Sequence, residues 1–321
     1  MEVAPSIHRI AASLGGRPLF QHVILADTIT VVDLGIFDTP DTCIAPFLDE
    51  FKISHQSENI RCLITHCDSD HFGGCASFRR LYPGAQILCH EFDAPLVQNK
   101  ERCLCERYDF ATPWGWPLPQ EMRMRASRNM GDPAIVDVAL SSNQRFRTQE
   151  PPIGELQIIH VPGHSRGHVA VCIPNQRIAI ITDAALWKGI PGPDGKLILP
   201  PTYRFLPEYL QTIDTLEKMK LDLMLTSHYE LLRGSAIKDF LAESRAFVLR
   251  LESAICSVLR RTSFLSLEEI CGDLRSAFCD WPEAAHYFLA WPVTASLDHW
   301  LSIGKLEMKI DDHRRLVRLR K

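Results

Sequence analysis

No segment of this chain stays apolar for the roughly 18 residues that a membrane-spanning helix requires, so no such span is expected. Charge of one sign is not in excess either. The 35 Lys and Arg against 39 Asp and Glu leave a formal net charge of -4, which gives nucleic acid or an acidic membrane no global attraction. Any polyanion site would have to be local. The opening Met1-Glu2-Val3-Ala4-Pro5 lacks the basic residues and apolar run of a signal peptide, and a cytoplasmic location is expected. There is no internal repeat and no low-complexity segment. A disulfide framework is not indicated: the 11 cysteines are odd in number, and Cys62, Cys89, Cys172, Cys256 and Cys271 sit among apolar neighbours as small buried side chains. Cys103-Leu104-Cys105 has the wrong gap for a zinc knuckle.

What is present suits a soluble globular protein. The 321 residues, 46% hydrophobic and 23% charged, can bury a sizeable core as one large domain plus a small one. Between Ile7 and about Arg61, short β-rich runs (22–25, 28–33) alternate with turn residues, and a helix is expected over 43–51. A short apolar strand at 61–65 then feeds the polar loop 66–74, followed by helical spacing over 75–81. After a strand at 86–90 comes a stretch of different character, about 95–152, rich in Trp, Met and Pro. Strands resume at 156–161, 169–173, 177–181 and 223–226, and this alternation predicts an α/β layered domain ending near Gly234. Beyond it, Ile237, Phe240, Leu241, Phe247, Val248, Leu251, Ile255 and Leu259 share one stripe of a long amphipathic helix. Ser266 with Glu269 forms a capping box for a second helix, 292–303 reads as a third, and 306–319 alternates as a hairpin around Asp311-Asp312. The expected units are 1–234 and 235–321, the latter helical and similar to a winged helix.

The chemistry concentrates in His66-x-Asp68-x-Asp70-His71, four potential ligands within six residues, with Gly73-Gly74 after them allowing close backbone approach. Carboxylates and imidazoles at that density are costly to hold together unless a cation neutralises them. Three later segments each end an apolar strand in a ligand type: His160-Val161-Pro162-Gly163-His164, Ile180-Ile181-Thr182-Asp183 and Leu225-Thr226-Ser227-His228. Side chains at such strand ends can converge on one cleft.

In these residues the chain resembles the metallo-β-lactamase superfamily, whose pattern is a T-H-x-H-x-D-H-x-G-G loop, a P-G-H segment, an aspartate after a strand and a late S-H. Thr65 to Gly74, Pro162-Gly163-His164, Asp183 and Ser227-His228 match in that order, within about 7–234. The resemblance implies a four-layer αβ/βα sandwich and two divalent metal ions. His66, Asp68 and His164 would hold the first, Asp70, His71 and His228 the second, and Asp183 would bridge both. A hydroxide between the metals would attack the substrate, with Asp70 holding or accepting the water's proton, so Asp70 and Asp183 are the catalytic candidates. Zinc is the metal expected first. Asp68 departs from the pattern, standing where the family usually has a second histidine, and its harder oxygen also admits iron or manganese. The implied activity is hydrolysis of an ester-like bond of a small molecule, a thioester or lactone. The alternatives are a phosphodiesterase or ribonuclease of the same fold, a non-hydrolytic di-iron protein and a binding module without turnover.

The stretch 95–152 reads as a lid, because Tyr108, Phe110, Trp114 and Trp116 cluster with Pro and Gly as in a loop that walls an apolar pocket. Tyr108, Trp114, Trp116, His160, Trp187 and Lys188 are the candidate pocket residues, Lys188 as a partner for a substrate carboxylate or phosphate. His168 reads as a structural histidine. The basic end from His313 to Lys321 invites a nucleic-acid reading, but the helix before it offers Asp298, His299 and Trp300 instead of a row of Lys and Arg. Packing or homodimer formation is the expected use of this tail. The expected partner at the cleft is a small molecule, with no membrane and no nucleic acid.

Overall fold

Side chains that alternate along a strand leave by opposite faces of its sheet, and that alternation sorts the apolar residues here into layers. The computed structural model describes residues 1–321 except Ser142, Thr262, Ser276, Cys279 and Lys321. A first sheet of seven strands follows chain order: β1 (Glu2–Ala4), β2 (Ile7–Leu14), β3 (Arg17–Ile24), β4 (Ile29–Val32), β5 (Ile60–Ile64), β6 (Gln86–His90) and β7 (Val138–Leu140). The first four strands form an antiparallel meander, whereas β4 to β7 run parallel.

Parallel neighbours need crossovers, and short helices supply them. These are α1 (Ala45–Glu50), α2 (Ser69–Phe72), α3 (Cys75–Leu81), α4 (Ala94–Val97), α5 (Lys100–Cys103) and α6 (Gln120–Asn129). The second sheet contains β8 (Gln144–Arg147), β9 (Glu155–His160), β10 (Val169–Ile173) and β11 (Ile178–Thr182). A small hairpin of β12 (Ile190–Pro191) and β13 (Leu197–Leu199) follows, then α7 (Leu206–Lys218). β14 (Leu223–Thr226) and β15 (Leu232–Arg233) complete the second sheet, in the spatial order β15-β14-β11-β10-β9-β8.

Val32, Leu63 and Leu88 of the first sheet meet Val169, Val171, Ile178 and Ile180 of the second in the core between them. One step along each strand, Cys62, Ile64 and Cys89 face outward onto Leu48 of α1 and Phe78 of α3. Ala170, Cys172, Ala179 and Ile181 face outward onto α7 and onto α8 (Ser235–Leu259) through Ile213, Phe240 and Phe247. This is the expected four-layer αβ/βα sandwich, and burying each large aliphatic side chain in it contributes about 1.5–3 kcal/mol. All eight residues of the expected α8 stripe are buried.

After α8 come α9 (Leu267–Leu274), α10 (Ala290–Ser302) and a hairpin of β16 (Leu306–Asp311) and β17 (Arg314–Leu319). The Ser266–Glu269 capping box is formed. The hairpin turn places Asp312 and His313 at φ 46° and 62°, the left-handed pair that matches strand twist in a two-residue turn. Three of the tail's arginines have partners in the fold: Arg314, although exposed, lies against Gly115, Arg315 over the Trp114 ring and Arg318 on Glu307. Lys321 lies outside the described residues. Among the described residues, no helix is long and apolar enough to cross a membrane.

Two expectations need correcting. The stretch 95–152 is not one insert, because its end supplies β7 to the first sheet and β8 to the second. Both are short edge strands with mixed polarity, Val-Ala-Leu and Gln-Arg-Phe-Arg, which leave little periodic signal. Cys256 is half-buried, not buried, while Cys62, Cys89, Cys172 and Cys271 are buried free thiols; Cys279 lies outside the described residues.

Candidate metal centre

Register brings the donors together. β11 and β14 lie side by side in parallel with Thr182 opposite Thr226, so Asp183 and Ser227-His228 leave the sheet at one edge. β9 and β10 pair antiparallel, and the turn between them carries Pro162-Gly163-His164 back to that edge. Gly163 has φ 134°, and a Cβ there would lie 2.4 Å from the Tyr209 Cα, so only glycine fits. The sheets are tied at the site by backbone hydrogen bonds from Val169 N to Thr65 O and from Phe20 N to Ser227 O, each 2.9 Å.

Two buried aspartates, neither singled out in the sequence, shape the loop after β5. Asp33 accepts from Thr65 N, Thr65 Oγ1 and His71 Nδ1, each at 2.7 Å. Asp93 accepts from Cys67 N (3.1 Å), Ser165 Oγ (2.5 Å) and Gly167 N (2.8 Å), which links the 66–71 loop to the His164 turn. Gly73 and Gly74 allow the close approach expected of them: a Cβ would lie 2.0 Å from Asn129 O at the first and 2.4 Å from Leu34 O at the second.

The hydrogen-bond network sets the histidine tautomers. Thr65 Oγ1 donates to Asp33, so it accepts from His66 Nδ1 (3.0 Å). His71 Nδ1 donates to Asp33, and His228 Nδ1 donates to Pro18 O (2.9 Å). When each of the three rings is neutral, its lone pair is therefore on Nε2. His66 Nε2, His71 Nε2 and Asp183 Oδ1 are buried without a hydrogen-bond partner among the described residues. His71 Nε2 and His228 Nε2 lie 3.6 and 3.4 Å from Asp183 Oδ2. Orphaned lone pairs facing a carboxylate are costly when buried and are the donor set a divalent cation takes. The donors Asp70, His71 and His228 lie close enough together to hold one ion, and so do His66, His164 and Asp183. Thr182, just before Asp183, has φ 46°, a strained value for a β-branched residue. Its hydroxyl donates to Thr65 Oγ1 (3.0 Å) and accepts from His168 Nε2 (3.2 Å), so His168, stacked on His66 at 4.5 Å, supports the site from behind.

Two arginines enter where the sequence offered no signal. Arg107 holds Asp68 through both carboxylate oxygens (2.5 and 2.9 Å), and its Nη2 lies 3.0 Å from His164 Nε2. Arg17 donates to Asp70 Oδ2 at 2.6 Å. Burial alone would raise the Asp68 carboxyl, but Arg107 and then His164 hold it well below the ordinary carboxylate range. His164 is lowered to about 4, first by burial and then by Arg107. Burial would likewise raise Asp70 and Asp183, and is outweighed by Arg17 at the former and by His228 and His71 at the latter. A metal therefore fits the Asp70, His71, His228 and Asp183 set, whereas Asp68 and one nitrogen of His164 are already engaged by a guanidinium.

His71 yields a pH prediction. Burial would lower its pKa, but Asp33 and Asp183 at its two nitrogens drive it well above the usual 6.5. Without metal, the Nε2 proton occupies the direction a metal would take. This pairing stabilises the metal-free protein fully below pH 6.5 and is lost as pH rises through the higher folded value. The depressed carboxylates Asp68, Asp70 and Asp183 act oppositely, contributing above 3.8 and losing that contribution as pH falls through their folded values. Below 6.5 the histidines that burial keeps neutral, His22, His164 and His168, also lose stability, because the unfolded chain takes up their protons first. Chelator-treated protein is therefore expected to have its highest Tm near pH 6.5 and to lose it toward alkaline pH, while metal-loaded protein does not. Melting curves across pH check this; a metal-free Tm that climbs above neutrality contradicts the pairing.

A cleft of about 530 Å³ opens on this centre and reaches Asp68, Asp70, Asp183 and His228. Its walls include Leu118 and Met122 of the 95–152 stretch and Phe288 and Trp291 of the C-terminal segment, with the exposed Arg125 and Arg128 of α6 at the rim. Of the six expected pocket residues, only Tyr108 lines it, its hydroxyl accepting from Ser69 N at 2.8 Å. Trp114 is buried beneath Arg315 in the second-sheet core, and Trp116 packs on Tyr287 at 5.3 Å. His160 stacks on His90 at 4.3 Å and is held at Arg166 O, turned from the cleft. Trp187 sits under Lys188, and Lys188 borders a separate, smaller cavity with Phe247 and Arg250. These aromatics serve as core because burying an indole gains more than leaving it on a rim.

A family model described as the metallo-beta-lactamase superfamily matches residues 30–228. No curated protein matches the chain. Among solved structures, a metallo-beta-lactamase family protein of Thermus thermophilus is similar with a TM-score of 0.74 at 16% identity, covering 99% of this chain and 100% of that one. A beta-lactamase domain protein of Burkholderia ambifaria has a TM-score of 0.71 at 17% identity, covering 99% and 94%. An archaeal superfamily protein of Sulfolobus tokodaii has 0.56 at 15% identity, covering 92% and 98%. The first two likenesses extend through residues 235–321, so that segment belongs to the shared fold.

Proposed function

Because this chain belongs to the metallo-beta-lactamase superfamily, whose members are generally metal-dependent hydrolases, we propose that it hydrolyses an ester-like bond in a small molecule, a thioester or a lactone. The observation that carries this reading is the cleft itself: a buried carboxylate and imidazole donor set opening into a mostly apolar space of about 530 Å³, the size of a small-molecule site. Zinc is the metal we propose, since imidazole and carboxylate suit it and Asp68, the residue that favoured iron or manganese, is paired with Arg107.

When bound, a divalent cation lowers the pKa of its water and polarises the scissile carbonyl. The chain's own residues do the rest. Asp70, kept ionised by Arg17, lines the cleft and is placed to hold the attacking water's proton. Asp33 fixes the His71 ring and Pro18 O fixes His228, so their lone pairs need no reorientation. Leu118, Met122, Phe288 and Trp291 exclude bulk water and receive an apolar acyl portion.

A second reading, phosphodiester cleavage, draws on one observation: Arg125 and Arg128 carry no ion pair among the described residues and stand at the rim, where they suit an anionic group. The test is a metal-loaded assay over p-nitrophenyl esters, lactones, thioesters and bis-p-nitrophenyl phosphate. Turnover is expected on a thioester or lactone and lost on chelation. Turnover of the phosphodiester alone, falling steeply with salt, would establish the second reading instead; no turnover of any substrate by fully loaded protein would end both.

A further inference from the structure

The proposed function rests on a metal held by Asp70, His71, His228 and Asp183, and the same geometry bears on how many ions the centre takes. Arg107 stands on a π-helical turn, Leu104–Tyr108, that follows α5, and only 6% of it is exposed. Its guanidinium spans both oxygens of Asp68, reaches the carbonyl oxygen of His164 at 2.7 Å and lies 3.0 Å from that residue's Nε2. We infer that Arg107 takes the place of a first metal ion, so that the centre holds one divalent cation, at Asp70, His71, His228 and Asp183.

Three physical points carry this. A guanidinium cannot lose its proton in a protein, so it cannot yield its position by becoming neutral. A metal ligated by imidazole must come within about 2.0–2.1 Å of the nitrogen, and Arg107 already stands 3.0 Å from His164 Nε2 and donates to both oxygens of Asp68. Charge agrees with geometry. Asp33, Asp68, Asp70 and Asp183 are the carboxylates that touch the centre, and Arg17 and Arg107 offset two of those charges. One divalent cation neutralises the remaining two, and a second would leave excess positive charge in a buried site, which is costly. The exchange of histidine for aspartate at position 68 then has a reason. A neutral imidazole would leave Arg107 unpaired, whereas a carboxylate completes a bidentate pair.

The experiment is metal stoichiometry. The full chain is stripped with chelator, dialysed against excess Zn²⁺, freed of loose metal and measured by mass spectrometry of the element, with Co²⁺ absorption as an independent readout. Wild-type protein is expected to keep one equivalent per chain. The double variant Asp68→His/Arg107→Met removes both partners of the buried pair together, which folds tolerate better than removing one, and is expected to keep two. Arg107→Met alone is expected to move the same way, circular dichroism showing which variants fold. Two equivalents in wild-type protein would overturn the assignment and leave the hydrolase reading standing. One equivalent in both the wild type and a folded double variant would also overturn it, because Arg107 would then not be what excludes the second ion. No bound metal in the wild type would overturn both readings.

Discussion

Asp183→Ala is expected to lose metal and turnover together. Asp183 is buried between His71 and His228, with Oδ2 at 3.6 and 3.4 Å from their Nε2 atoms and Oδ1 without a hydrogen bond among the described residues. In the proposed centre it is thus the anionic donor that would complete the set for an ion. Removing one partner of a buried charged group costs about 3–5 kcal/mol, and since 1.4 kcal/mol is tenfold, metal affinity should fall by roughly 10²- to 10³-fold or more. Asp183→Asn, which keeps the shape and removes the charge, should fall nearly as far. Metal analysis after dialysis, together with the rate on the best substrate, measures both. A variant that keeps its metal and its rate would remove Asp183 from the centre and leave the proposed function without its principal anion.

Gly73→Ala is expected to be the most damaging single-methyl substitution at the site. The added Cβ would lie 2.0 Å from Asn129 O and 2.5 Å from Ser69 O, both backbone atoms that cannot rotate aside. Relief requires moving the 66–71 loop away from the end of α6, which separates Asp70 and His71 from Asp183. Overpacking of this kind costs about 3 kcal/mol, which for a chain of this size is roughly 4–5 °C in Tm. Metal retention should fall with it. Gly272→Ala is the control, because nothing lies within 4 Å of its Cβ, and in α9 alanine should stabilise by roughly 0.5–1 kcal/mol. Equal melting temperatures for Gly73→Ala and the wild type would show that the loop has room the geometry denies it.

How much of this was legible in the sequence depended on the kind of signal. Strands β6, β10 and β14 lie where the apolar runs place them, and the α8 stripe is buried in full. The segments bearing His66 to His71, His164, Asp183 and His228 stand out because each ends an apolar run in a residue that seldom sits there for packing. β7 and β8 were not legible, being three and four residues long at sheet edges. The aromatic residues of 95–152 pointed to a pocket wall, yet Trp114 and Trp116 joined the core beside β17 and Tyr287. Which face of a loop becomes interior depends on what packs over it, here a C-terminal segment some 200 positions away, of order the whole domain's length.

By itself the sequence determined the layered fold and the donor types of the centre, because period-2 apolar runs and ligand residues at their ends are local properties. Only the tertiary structure decided which charges the donors meet. Arg107 on Asp68, Arg17 on Asp70, Asp33 on His71 and Asp93 on the loop backbone join residues that are tens of positions apart. Coulomb energy depends on separation in space and on burial, and neither leaves a period in the chain. A lone arginine on a turn therefore looks like any solvated arginine until the fold buries it against a carboxylate.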